Sequence, residues 1–107
     1  MIQVGDLIRY DNTLGVVYRE TESDSVFTVL MHHDDLYAAK LLHVNEIELV
    51  AKGNQIIQEG DSVITYYGEG VVTSVEDIGK KMYFVRLHKN QEMPEECVCW
   101  EGSIWKK

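Results

Sequence analysis

Long apolar runs are missing from this sequence. None approaches the roughly 20 residues needed to cross a bilayer, and the opening Met1-Ile2-Gln3-Val4-Gly5-Asp6 lacks the basic and apolar regions of a secretion signal. The expectation is therefore a cytoplasmic protein that engages no membrane. Cysteine is scarce: Cys97 and Cys99 are the two present, too few for a structural zinc set of four ligands, and reduced thiols are expected inside the cell. Basic residues are few, 10 Lys and Arg against 18 Asp and Glu, for a net charge of -8. Residues 1–52 hold four basic and nine acidic side chains, and residues 53–107 hold six and nine. Neither half has the positive excess that neutralises phosphates, so nucleic-acid binding by the whole surface is disfavoured.

Catalytic signatures are lacking too. The sequence has no Gly-x-Ser-x-Gly, no Walker-type loop and no dinucleotide-binding pattern, and no spaced carboxylate pair singles out an acid and a base. His32-His33-Asp34-Asp35 offers four metal-ligating side chains, but adjacent ligands on one loop rarely converge on an ion, and neither His-Glu-x-x-His nor a calcium-loop pattern occurs. A solvated loop is the simpler reading. No enzyme, cofactor or metal is expected.

What the chain does contain is a repeat. Ile2-Gln3-Val4-Gly5-Asp6-Leu7-Ile8-Arg9-Tyr10 aligns with Ile57-Gln58-Glu59-Gly60-Asp61-Ser62-Val63-Ile64-Thr65, and Gly15-Val16-Val17 with Gly70-Val71-Val72, at a constant offset of 55. One inserted residue moves the offset to 56, matching Val26-Phe27-Thr28-Val29 to Met82-Tyr83-Phe84-Val85. A second shift, to 57, matches Leu41-Leu42-His43 to Val98-Cys99-Trp100.

Each copy reads as short strands between turn signals. Leu7–Tyr10, 15–20 and Val26–Met31 are strands in the first copy, with Ser62–Thr65, 70–75 and Met82–Leu87 in the second. Residues 36–44 permit a short helix by composition, while the repeat argues for a loop and a fourth strand. Asn45-Glu46 suits a single 3₁₀ turn, and Ile47–Val50 a closing strand. Gly15 and Gly70 are expected where the backbone reverses or bulges. Five strands in about 50 residues fit a small bent antiparallel barrel, giving an all-β chain of two tandem barrels, 1–52 and 53–107, related by internal duplication.

The run Gly60-Asp61-Ser62-Val63-Ile64-Thr65-Tyr66-Tyr67-Gly68-Glu69-Gly70-Val71-Val72, followed by Tyr83-Phe84-Val85-Arg86-Leu87, resembles the opening strands of SH3-like barrels of the Tudor, KOW and CarD type. The resemblance implies tandem SH3-like modules. It also implies an aromatic surface of Tyr66, Tyr67 and Tyr83 near Trp100, assisted by Glu69, because such positions on Tudor-like barrels can cage a methylated cation. Alternatively, some of these rings fill the core. Tyr66 and Tyr67 are adjacent and cannot both point inward from a strand. The insert Tyr66-Tyr67-Gly68-Glu69 replaces Asp11-Asn12-Thr13-Leu14 and is the unrepeated part of a repeated frame.

These features favour a noncatalytic adaptor that binds a protein through aromatics and acidic loops around the second barrel or the groove between barrels. By resemblance its setting is a transcription or other nucleic-acid-handling assembly. The acidic loops are Glu20, Glu22 and Asp24, then Glu76 and Asp77, then Glu92, Glu95 and Glu96. The alternative is direct nucleic-acid binding through Lys80, Lys81, Arg86 and Lys89 gathered on one edge. Exposed strand edges leave a homodimer open.

Overall fold

A computed structural model describes residues 1–33, 36–88 and 95–107. Asp34, Asp35, Lys89 and Glu92, which figure in the sequence reading, lie outside the described residues. The chain separates into two compact units, Met1–Asn54 and Gln55–Lys107. Each contains a five-stranded antiparallel sheet, so the all-β expectation is met. Among the described residues no helix is long and apolar enough to cross a membrane.

In the first unit the strands are β1 (Leu7–Tyr10), β2 (Thr13–Glu20), β3 (Val26–His33), β4 (Leu36–His43) and β5 (Glu48–Ala51), in the spatial order β4-β3-β2-β1-β5. Residues 36–43 are thus one strand: the fourth strand for which the repeat argues is present, and it also takes up the stretch expected as a loop. Packing decides between helix and strand, because Leu42 must reach the core opposite Phe27. A 3₁₀ turn, Val44–Glu46, carries the chain from β4 to β5. His43 caps it: its Nδ1 accepts from the Asn45 N–H at 3.1 Å, while the Glu46 carboxylate accepts from the His43 N–H at 2.9 Å. These reciprocal bonds satisfy donors that a one-turn helix leaves free.

In the second unit β6 (Ser62–Thr65), β7 (Gly68–Asp77), β8 (Lys81–Leu87), β9 (Glu96–Trp100) and β10 (Ile104–Lys106) take the order β10-β6-β7-β8-β9. The two ladders correspond in register. Val17 lies opposite Val29 and Val72 opposite Val85; Phe27 opposite Leu42 and Tyr83 opposite Cys99. A bulge follows Val17 in one sheet and Val72 in the other.

The turn before each first strand is also built alike. Gly5 and Gly60 stand at φ 96° and 92°, where a β-carbon is strained, and their N–H groups donate to Val17 O and Val72 O at 2.8 Å. Asp6 and Asp61 each accept from the backbone N–H three residues earlier, at 2.8 Å.

Gly15 and Gly70 differ from expectation. They lie inside β2 and β7 rather than at a reversal, and the reason is close approach: a β-carbon on Gly70 would stand 2.4 Å from the Arg86 carbonyl oxygen. The barrel expectation is corrected as well. Neither ladder closes on itself, since β5 and β10 are four and three residues long and use their pairing on β1 and β6.

Alternation fills each core. In the first unit Ile8, Val17, Phe27, Val29, Met31 and Leu42 share one face; in the second, Val63, Val72, Tyr83, Val85, Leu87 and Cys99 do, joined by Ile57 and Ile104.

Candidate functional site

The unrepeated insert forms the β6–β7 turn. In the first unit the equivalent turn places Asp11 and Asn12 at φ 50° and 61°, the left-handed pair favoured in two-residue hairpins. Tyrosine tolerates that region poorly, and in the second unit the positive φ falls on Gly68, at 126°. Buried Thr65 ties this turn together, its hydroxyl accepting from the Tyr67 N–H at 3.0 Å and donating to Gly68 O at 2.8 Å. Tyr67 projects from the turn 44% exposed. Tyr66 is half-buried and meets Trp105 edge to face, with centroids 5.2 Å apart at 79°. The Glu69 carboxylate pairs with the Lys107 ammonium at 2.9 Å.

The remaining rings go elsewhere. Tyr83 lies in the core, 5% exposed, between Val75 and Cys99. Trp100 stands on β9 opposite Met82, which in turn faces Glu76. Glu76 and Glu69 sit near opposite ends of β7, roughly 23 Å apart along an extended strand. The expected aromatic surface is therefore divided: Tyr66 joins Trp105, Tyr83 joins the core, Tyr67 marks one end of the sheet and Trp100 the other.

The basic set is divided too. Lys80, in the β7–β8 turn, places its ammonium 5.3 Å from the Trp100 ring centroid. Lys81 and Arg86 both lie on β8, but an odd spacing puts them on opposite faces. Arg86 pairs with Glu96 at 3.5 Å. Lys89 falls outside the described residues.

Register assembles a different surface. Met82 lies opposite Trp100, and Phe84 opposite Val98, all four on the face of β8 and β9 that points away from the core. Val98 is 46% exposed and Trp100 40%. Lys80 borders this strip at one end and the Arg86–Glu96 pair at the other. The sequence reading missed Val98, Phe84 and Met82. Their signal was phase: once Tyr83, Val85, Cys97 and Cys99 are assigned inward, residues 82, 84, 98 and 100 must face outward.

Cys97 and Cys99 do share a face, as their spacing implies, with sulfurs 3.7 Å apart. Burial, reinforced by the neighbouring Cys97, pushes the Cys99 thiol from its ordinary 9.0 up to about 12. That thiol stays protonated at neutral pH and is a poor nucleophile. His32 meets Tyr37 edge to face at 5.2 Å, and among the described residues no group of three or more His, Cys, Asp or Glu side chains is placed to hold a metal ion. In the first unit the acidic loop borders a cavity of about 290 Å³, lined by Glu20 and Asp24 together with Ile2 and Phe27. No protein-family model matches the chain, and no curated protein matches it.

Proposed function

We propose that this protein is a noncatalytic adaptor that binds another protein, built from two tandem SH3-like modules related by internal duplication and working within a transcription or other nucleic-acid-handling assembly. Support for the duplication comes from the shared strand order, the matching bulges and the same Gly-Asp turn bonds in both units. The resemblance of 60–87 to Tudor, KOW and CarD barrels supplies the setting, which is an analogy from fold.

One observation carries the binding reading: Val98 and Trp100 stand exposed beside Phe84 and Met82 on the outer face of the second sheet. A large aromatic flanked by aliphatic side chains and rimmed by charge is the composition of an interface hot spot. Carboxylates around the first unit's cavity add a second contact chemistry, suited to a basic side chain of the partner.

The test compares wild type with Trp100→Ala and Val98→Asp in affinity purification from source cells. Both substitutions fall on an exposed face, so the fold is retained, and both are expected to remove a protein that wild type captures. Titration with single- and double-stranded oligonucleotides separates the other reading. Binding that weakens steeply with salt and is lost in Lys80→Glu and Lys81→Glu would replace the adaptor by a nucleic-acid-binding protein.

A further inference from the structure

An open sheet has edges, and proteins protect them with short strands, charge or cover. Three of the four edge strands fit that rule. β5 has four residues and carries Glu48, β9 has five and carries Glu96, and β10 has three and ends in Lys106. β4 does not. It runs eight residues, Leu36-Tyr37-Ala38-Ala39-Lys40-Leu41-Leu42-His43, with six of them exposed: Leu36 at 75%, Tyr37 at 52% and Leu41 at 68% lead the set. Its one Lys is turned inward, with the ammonium 5.0 Å from the Tyr10 ring centroid of the same unit.

We propose that β4 pairs antiparallel with β4 of a second copy of this chain, joining two first sheets edge to edge about a two-fold axis at Ala39. The occupant follows from the strand's own pattern. A two-fold axis at Ala39 sets Tyr37 opposite Leu41 of the second copy and Leu41 opposite Tyr37, two aromatic–aliphatic pairs on the face away from the core. Leu36 then meets Leu42, and Lys40 meets Ala38. Moving the axis to Lys40 would set two ammonium groups opposite each other, and moving it to Ala38 would set Leu36 against Lys40. One-residue slips bring core-facing and outward residues onto the same face.

Charge favours the same edge. Two chains of net charge -8 repel over most approaches, while β4 carries no acidic residue. Burying the exposed part of Leu36, Tyr37 and Leu41 in both copies, with the backbone between them, removes on the order of 1,000 Å², the lower limit for a specific interface. The dimer is accordingly weak, with a dissociation constant on the order of 10 µM.

Sedimentation equilibrium of the full chain tests this, with Leu41→Glu as the disrupting variant and Leu49→Glu, on the opposite edge strand β5, as the control. Wild type and Leu49→Glu are expected to move from one-chain to two-chain mass as concentration rises, and Leu41→Glu to weaken the dimer at least about 30-fold. Register is read from Ala39→Cys. Directly opposed α-carbons are about 4.5–5.5 Å apart, within disulfide reach, so oxidised glutathione should link two Ala39→Cys chains, releasing two reduced glutathiones per bond formed. Ala38→Cys, diagonal to its copy, should not link, which also controls for Cys97 and Cys99. If Leu41→Glu does not fold, the cysteine pair decides alone. One-chain mass at every concentration, a dimer that survives Leu41→Glu without an Ala39→Cys link, loss of the dimer in Leu49→Glu alone, or capture of an unrelated extended peptide by β4 without self-association would each overturn the proposal.

Discussion

Asp6 and Asp61 hold the same place in the two units and carry different loads. Asp61 accepts from the Gln58 N–H at 2.8 Å and lies 3.7 Å from the Lys106 ammonium, with its side chain 23% exposed. Asp6 is 1% exposed and accepts from the Gln3 N–H at 2.8 Å, the Gly53 N–H at 2.9 Å and the Lys52 ammonium at 2.8 Å. It ties the start of the first unit to its last residues. Asp6→Ala strands two backbone donors and breaks the pair with Lys52, whose ammonium keeps its bond to Met1 O, and is expected to cost about 2–4 kcal/mol. Asp61→Ala strands one donor that water can reach, and is expected to cost about 1 kcal/mol. Urea denaturation of the two variants measures the difference, and equal losses would contradict it. At Cys99 the same scale makes a pH prediction. The folded thiol holds its proton more tightly than the unfolded one, so stability is intact below pH 9.0 and falls as pH rises from there toward about 12. At pH 8 a thiol reagent should modify half-buried Cys97 well before Cys99.

At the scale of elements, Gly70 is where β7 leaves no room for a β-carbon against β8. An added β-carbon there meets the Arg86 carbonyl oxygen at 2.4 Å, a backbone atom of the neighbouring strand that cannot turn aside. At Gly15 the nearest atom is the sulfur of Met31, at 2.7 Å, on a flexible side chain, and the backbone atom in the matching place, the Leu30 carbonyl oxygen, stands farther off at 2.9 Å. Gly70→Ala is expected to cost about 3 kcal/mol and Gly15→Ala about 1 kcal/mol, read from urea midpoints at unchanged slope. The glycines also show what sequence makes legible. Turn glycines announce themselves through Gly-Asp pairs, and the strands announce themselves through alternation. A close-approach glycine inside a strand looks the same in sequence as one at a bulge, and only the partner strand tells them apart. The site was less legible for the same reason: Tyr66, Tyr67 and Tyr83 are near in sequence, but register sends Tyr83 inward and leaves Trp100 far along the sheet from Tyr67. Proximity along the chain is not proximity across strands.

At the scale of the whole molecule, the repeat explains architecture and charge bears on association. Carboxylates outnumber basic groups 18 to 10, and three of the five ion pairs among the described residues have both partners well open to water. Exposed pairs contribute little and lose little to screening, whereas the summed repulsion of a net charge of -8 is relieved by salt. Raising sodium chloride from about 10 mM to about 0.5 M should therefore increase unfolding free energy by on the order of 1 kcal/mol, and a decrease would mean that attractive pairs dominate. Association follows the same sign argument in two directions. Pairing of two acidic copies through β4 should tighten as salt rises, because the copies repel and the edge itself is apolar. Recruitment of a basic partner to the acidic loop around Glu20 and Asp24 should slow, because salt removes the attraction that steers it. Measuring both constants across one salt series distinguishes the surfaces, since a single patch serving both partners would have to respond with a single sign.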